Sequence, residues 1–409
     1  MAGPLLPVSE ALSRLLARAR PMTATETVPL RQAAGRVLAG DLAARLTQPP
    51  FHASAMDGYA LRAEDAPEIG SVLSVIGQSA AGHAFAGSVG EGEAVRIFTG
   101  APVPEGADTV LIQEDAETLD GNRIRTTFAV TAGRHIRPRG QDFAEGEVVL
   151  SAGTLLDAAH VTVAAAMNHP GLSVYRRPRV AVIATGDELI APGGAPRPDQ
   201  IIASNTFGVA ALIGAAGGEV LDLGIVGDDR SLIEAAIGRA IEAQVDVLVT
   251  LGGASVGDHD LVQASLKAKG MELDFWRIAM RPGKPLMVGS LRGMQVLGLP
   301  GNPVASLVCG LLFLEPLITT LARRPLRDRS GSAVTATSLS ANDQRQDYLR
   351  ATLSRDNQGR LVAEAFGKQD SSMMKIFAQS DALIIRPPHA PELPAGAPCP
   401  VLLLRPTGR

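Results

Sequence analysis

The chain has 409 residues, 46% of them hydrophobic and 20% charged, with a formal net charge of −4 and only two cysteines, Cys309 and Cys399. That is more than one average domain, with the composition of a well-buried globular protein. The mild acidity excludes an extended nucleic-acid surface, and two cysteines exclude both a disulfide framework and a thiolate zinc site, which suits a reducing compartment.

Residues 1–20 have no basic start followed by a continuous apolar core, so no signal peptide is expected. The most apolar segment, 307–314, is stopped by Glu315-Pro316, short of the ~20 residues a membrane span needs. The expectation is a soluble, cytoplasmic protein with no membrane and no nucleic-acid partner. Residues 9–19 read as a capped amphipathic helix with Leu12, Leu15, Leu16 and Ala19 on one face. A second helix is expected over 30–39. The stretch 48–61 contains Pro49-Pro50 and the turn signal Asp57-Gly58 together with Phe51, Met56 and Tyr59, and reads as an ordered loop.

From 71 to about 147, short strand-like runs at 71–77, 94–98, 109–114 and 123–127 alternate with glycine, the pattern of a small β-rich domain. The loop Arg134-His-Ile-Arg-Pro-Arg-Gly-Gln-Asp142 is either a solvated basic turn or a recognition loop for an anion. From 179 onward strands and helices alternate. Strands over 179–184, 219–226, 245–250 and 295–299 end in loops that carry glycine with a carboxylate or an asparagine. Helices are expected over 204–217, 231–243, 260–268 and 305–321. Such alternation requires a parallel sheet with helices on both faces, whose loops converge on one edge. Residues 323–332 look like a junction. The strand-like runs 334–339, 348–354, 361–365, 382–386 and 400–404 then read as a C-terminal β barrel or sandwich.

The loop after 245–250, Gly252-Gly-Ala-Ser-Val-Gly-Asp-His-Asp260, breaks a buried strand with paired glycines. It fits neither the P-loop nor the dinucleotide fingerprint. Glycine loops set beside Glu188, Asp228, Asp258 and Asp260, with few basic groups, suggest phosphate held partly through Mg²⁺, because bare carboxylates repel phosphate. Arg281-Pro-Gly-Lys284 adds cations able to hold an oxyanion.

The ordered set Ser54-Ala-Met-Asp-Gly-Tyr-Ala60, Thr99-Gly-Ala, Gly106-Ala-Asp108, Thr185-Gly-Asp-Glu-Leu189, Gly252-Gly-Ala-Ser-Val-Gly257, Pro282-Gly-Lys-Pro285 and Gly298-Leu-Pro-Gly-Asn-Pro303 closely resembles the MoeA family of molybdopterin molybdenumtransferases. That family includes the gephyrin E domain, and the resemblance covers essentially the whole chain. It implies a multidomain α/β plus β fold. A three-layer α/β sandwich of the molybdopterin-binding type is expected from 7–26 with 178–327, and a mixed linking and dimerisation domain from 27–45 with 147–177. A β-rich domain would cover 46–146 and a C-terminal β barrel 328–409.

The implied reaction is insertion of molybdate into adenylylated molybdopterin, with Mg²⁺-dependent hydrolysis of the pyrophosphate link and release of AMP. By the same resemblance Asp57, Glu188, Asp228 and Asp260 are the acidic catalytic positions, with Glu188, Asp228 and Asp260 toward the metal and Asp260 favoured over Asp258 as the direct ligand. Thr99, Asp142, Gly252, Gly253, Ser255, Gly257, Arg281, Lys284, Pro300 and Asn302 would meet the substrate, and Lys284, Arg350 and Ser371 the molybdate. A homodimer with a cleft shared between subunits is implied, and contact with a molybdopterin adenylyltransferase is a further partner it raises. Arg281 stands where many relatives have lysine, Leu251 where Ser or Thr is frequent, and Ala254 where Val is common. Two other functions remain open on the sequence: molybdopterin adenylylation by the same sheet domain, and a scaffold role in the manner of gephyrin.

Overall fold

The computed structural model describes residues 5–252 and 261–405. The chain divides into two compact units, one comprising 1–26 with 175–409 and the other 27–174.

In the first unit, helix α1 (Val8–Ala17) is followed by β1 (Arg179–Thr185), α2 (Asn205–Ala215), β2 (Glu219–Val226), α3 (Arg230–Glu242) and β3 (Val247–Leu251). Then come α4 (Leu261–Ala268), β4 (Glu272–Arg277), β5 (Pro285–Leu291), β6 (Met294–Leu299) and α5 (Pro303–Leu321). The six strands form one sheet in the order β2-β1-β3-β6-β5-β4. β2, β1, β3 and β6 run parallel, whereas β5 and β4 are antiparallel additions. The sheet is therefore mixed rather than purely parallel. The sequence reading missed β4 and β5, whose glycines and charged or polar residues interrupt the apolar run expected of a buried strand.

Period-two alternation explains the layering. Val180, Val182 and Ala184 of β1 pack with Ala11 and Leu15 of α1, Val209 and Ile213 of α2 and Val304 and Val308 of α5. Ala181 and Ile183 face the other way, onto Ile233, Ala236 and Ile237 of α3 and Val262 and Leu266 of α4. Two apolar cores sandwich the sheet, the three-layer arrangement expected.

Helix α1 starts at Val8 with Pro7 at its cap position and no side-chain cap, so the capped start expected for 9–19 is absent. Its fixed φ makes proline a good helix entry without one. Helix α5 is apolar enough to span a membrane by length alone, with mean hydropathy 2.0, but 78% of that window is buried inside the fold. It passes Glu315-Pro316 without stopping because Gly310–Leu314 widens into a π turn just before the proline. A wider turn accommodates the missing N–H and the bulky ring. Glu315, 8% exposed, accepts from Arg329 Nε at 3.0 Å and Nη2 at 2.9 Å.

After that ion pair the chain forms β7 (Ser330–Thr335), β8 (Gln346–Arg355), β9 (Leu361–Ala365), helix α6 (Met374–Gln379), β10 (Ala382–Arg386) and β11 (Pro398–Leu403). They pair in the order β8-β9-β7-β11-β10, and β10 returns to β8, so the barrel closes. Closure leaves no free sheet edge. One further strand, Met280–Arg281 from the β4–β5 connection, pairs in parallel with Gln346 and Asp347 at the start of β8.

The second unit carries a six-stranded sheet in the order Thr109–Ile112, Gly58–Leu61, Glu93–Ile97, Val72–Ser79, Arg123–Thr126, Ala116–Leu119. A separate core of Val28, Leu38, Phe143, Leu156, Met167 and Leu172 gathers the two ends of this unit. Its helix Ala158–Ala166 begins with a capping box: Asp157 Oδ1 accepts from His160 N at 3.0 Å, and His160 Nδ1 accepts from Asp157 N at 3.2 Å. The helix expected over 30–39 is only a single 3-10 turn, Leu30–Gln32. Gly35 (φ 75°) takes the left-handed conformation there and turns the chain out of helical geometry.

Candidate active site

The four parallel strands of the first unit end at the same edge. Thr185 at the end of β1 with Gly186 and Glu188 after it, Asp228 after β2, Gly252 after β3, and Pro300 and Asn302 after β6 line one cleft of about 980 Å³. Ser204, Asn205 and Thr206 at the start of α2 form a second wall, and Pro285, Ser372 and Met374 also line the cleft. This is the crevice at the carboxyl ends of strands where open α/β sheets bind ligands.

Each carboxylate is presented by a local device. Asp229 caps α3, its Oδ1 accepting from Ser231 N at 2.8 Å and Leu232 N at 3.1 Å, which leaves the preceding Asp228 to line the cleft. Asp187 Oδ1 accepts from Asp228 N at 3.0 Å and so fastens the loop after β1 to the loop after β2. Sequence reasoning passed over Asp187 because Glu188 is the better acidic candidate; the adjacent pair of acids was the available signal. Asn205 Nδ2 likewise donates to Gly301 O at 2.7 Å and holds the Pro300–Asn302 turn. Gly252 (φ 95°) is required sterically, since a Cβ there would lie 2.8 Å from Thr185 O. Gly253, Ser255, Gly257 and Asp260, together with Asp258, lie outside the described residues.

Among the described residues no group of three or more His, Cys, Asp or Glu side chains forms a metal cage. Glu188 and Asp228 are hard oxygen donors in one cleft. That fits Mg²⁺, which is commonly held by one or two carboxylates plus substrate phosphates rather than by an all-protein cage.

Arg281 and Lys284 divide. The Arg281 guanidinium pairs with Asp347 and lies 3.5 Å from Asp343 Oδ2, both in the barrel. Lys284 is half-buried, has no ion pair among the described residues, and immediately precedes cleft-lining Pro285. Arg350, 1% exposed, donates from Nε to Gln369 Oε1 at 3.1 Å and from Nη1 to Asp370 O at 2.7 Å. Its Nη2 is buried and has no hydrogen-bond partner. Ser371 Oγ accepts from Asn302 Nδ2 at 2.9 Å, and its neighbour Ser372 lines the cleft.

In the second unit, Thr99 donates to Asp57 Oδ1 from its backbone N at 2.7 Å and from Oγ1 at 2.8 Å. These bonds, the backbone one first, hold the Asp57 carboxyl below its ordinary pKa. Asp142 N donates to Gln48 O at 3.0 Å and its side chain is exposed. Asp57 and Thr99 are thus brought together, whereas among the described residues no hydrogen bond joins Asp142 to them.

A strand-edge cleft with two carboxylates, glycine turns and an adjoining lysine defines an α/β ligand-binding domain. Comparison with known proteins identifies which. The MoeA N-terminal region (domain I and II) matches residues 6–168, a probable molybdopterin binding domain matches 181–320, and the MoeA C-terminal region (domain IV) matches 332–404. A molybdopterin molybdenumtransferase of Haemophilus influenzae is 34% identical over 383 residues, spanning 93% of this chain and 94% of that one. One from Bacillus subtilis is 33% identical over 410 residues, 98% and 94% of the two chains. The crystal structure of a molybdopterin biosynthesis MoeA protein from Pyrococcus horikosii superposes with a TM-score of 0.82 at 30% identity, covering 98% of this chain and all of that one. The chain belongs to the molybdopterin molybdenumtransferase family.

Proposed function

We propose that this protein is a transferase of molybdenum cofactor biosynthesis that inserts molybdenum from molybdate into adenylylated molybdopterin, with Mg²⁺-dependent cleavage of the pyrophosphate link and release of AMP. The observation that carries this reading is the pairing of Glu188 and Asp228 on one strand edge, in a cleft whose lining among the described residues includes no lysine or arginine. A phosphate ester entering such a cleft needs a divalent cation between itself and the carboxylates. The match along the whole chain, flanking regions included, supports insertion rather than adenylylation by the sheet domain alone.

In this reading Glu188 and Asp228, with Asp260, would hold Mg²⁺, which would supply charge neutralisation on the phosphates. Gly252, whose missing side chain leaves its backbone open to the phosphates, would meet them together with Pro300 and Asn302, and Gly253, Ser255 and Gly257 are assigned to the same substrate. Lys284 holds the molybdate dianion, with the unpartnered Arg350 Nη2 and Ser371 as further donors. Asp57, kept ionised by Thr99, and Asp142 serve the same reaction from a partner subunit in a homodimer whose clefts are shared. Two free, buried cysteines support a cytoplasmic setting.

The test is to incubate the purified protein with adenylylated molybdopterin and molybdate and to follow AMP by chromatography. AMP release that requires Mg²⁺ and falls to background in Asp57→Ala and Asp260→Ala, with the oligomer intact, is expected. Adenylylation of molybdopterin from ATP by this protein unaided would overturn the reading.

A further inference from the structure

The turn Arg281-Pro-Gly-Lys284 is held from two directions. On one side, Arg281 Nη2 pairs with Asp347 and lies 3.4 Å from Asn342 Oδ1, while Nη1 lies 3.5 Å from Asp343 Oδ2. Asp347 is buried, its side chain 5% exposed, and its Oδ1 has no hydrogen-bond partner. On the other side Gly283 (φ 110°) presses on α5, where an added Cβ would lie 2.5 Å from Cys309 Sγ. The backbone agrees, because Arg281 and Asp347 are register partners in the strand pair that joins the turn to the barrel.

We infer that Arg281 is a positioning residue rather than an oxyanion ligand: through Asp347 and Asp343 it locks the turn that aims Lys284, which is the cation the turn presents to molybdate. A guanidinium suits this task because its planar fork can satisfy several acceptors at once, whereas an ammonium is a single point charge. Arg281 is the hydrogen-bond donor on the buried Asp347 carboxylate, so that carboxylate competes strongly with any anion arriving from solvent. Lys284 O accepts from Ile278 N at 3.0 Å, which fixes the lysine's backbone on the far side of the same turn. The inference rests on the reading of Lys284 as the molybdate-binding lysine.

A double-mutant cycle tests it, with molybdate as the probe. Molybdate binding by titration calorimetry and the molybdate dependence of AMP release are measured on the full protein for Lys284→Met, Arg281→Met, Asp347→Ala and the Arg281→Met/Asp347→Ala double variant. Lys284→Met should weaken molybdate binding tenfold or more by the usual cost of losing a charged donor. Arg281→Met and Asp347→Ala should each raise the molybdate KM by a similar factor, about three- to tenfold, with kcat at saturating molybdate retained. The double variant should be no worse than the poorer single one. If Arg281→Met removes binding as completely as Lys284→Met while Asp347→Ala leaves it intact, Arg281 touches the oxyanion and the inference fails. If Lys284→Met binds molybdate like the unaltered protein, the functional reading of the turn fails instead. Should Asp347→Ala not fold, the same cycle with the more exposed Asp343→Ala gives the same discrimination.

Discussion

Asn302 Nδ2 donates to Ser371 Oγ at 2.9 Å, and Val304 N donates to Ser371 O at 3.0 Å. One serine of the barrel therefore terminates two bonds from the turn at the end of β6. The barrel reaches the strand-edge cleft through that serine and the adjoining Ser372 and Met374.

Ser371→Ala leaves the Asn302 amide without its acceptor and retains the backbone bond. A neutral hydrogen bond of this kind is worth about 0.5–1.5 kcal/mol, so the molybdate KM should rise roughly three- to tenfold with little change in melting temperature. Steady-state AMP release against molybdate concentration measures it, and an unchanged KM would separate Ser371 from the substrate.

Thr99→Val removes the Oγ1 donor to Asp57 and keeps the backbone one. The Asp57 carboxyl lies below its ordinary pKa because of these bonds, so its ionised form is favoured. That advantage is present above the ordinary carboxylate range and is lost as pH falls through the lowered value. The acid limb of kcat/KM should move to higher pH in Thr99→Val, while activity near neutrality stays close to that of the parent. A pH–rate profile of both proteins decides it.

Glu188→Gln and Asp228→Asn each replace a charged oxygen donor by a neutral amide of the same shape. AMP release should drop about 100-fold or more in either, as expected when electrostatic stabilisation at the reacting phosphates is removed. The Mg²⁺ concentration needed for half-maximal activity should rise, and circular dichroism should be unchanged. A variant that keeps the parent's Mg²⁺ dependence would remove that residue from the metal set.

Leu15 of α1 is fully buried against the sheet core although some 160 residues separate it from β1. Leu15→Ala should cost about 2–5 kcal/mol, the usual range for emptying such a site. A urea titration would show it as a lower midpoint with an unchanged slope if α1 remains docked. A shallower slope would indicate that the helix has detached.

The parallel strands were legible because Val180–Ala184 is apolar throughout and Val247–Leu251 is apolar apart from the buried Thr250, a pattern that suits a doubly covered strand. Their loops were legible for the same reason: glycine and a carboxylate follow each apolar run abruptly. β4 and β5 were not, since Asp274 and Arg277 in one and Gly289 and Ser290 in the other break the apolar pattern. Their strand identity comes from pairing with each other and with β6. The false helix at 30–39 shows the converse, where helical spacing of apolar residues was overridden by the turn at Gly35. Within the site, Glu188 and Asp228 could be read directly as acids after glycine. The structural use of Asp187, and the capture of Arg281 by a carboxylate 66 residues away, depend on tertiary neighbours that no local pattern encodes.

Two ion pairs straddle the joint between sheet and barrel. Arg281 on the sheet side meets Asp347 in the barrel, and Glu315 on the sheet side meets Arg329 at the barrel's entrance. A recombination event that cut the chain between α5 and Arg329 would strand a buried carboxylate in each fragment, Glu315 in one and Asp347 in the other. Shuffling of gene segments tolerates cuts only where the severed halves can meet new neighbours without unmatched charge. These two halves should therefore be inherited as one block, and a hybrid that exchanges the barrel alone should survive only if its donor supplies both complementary residues.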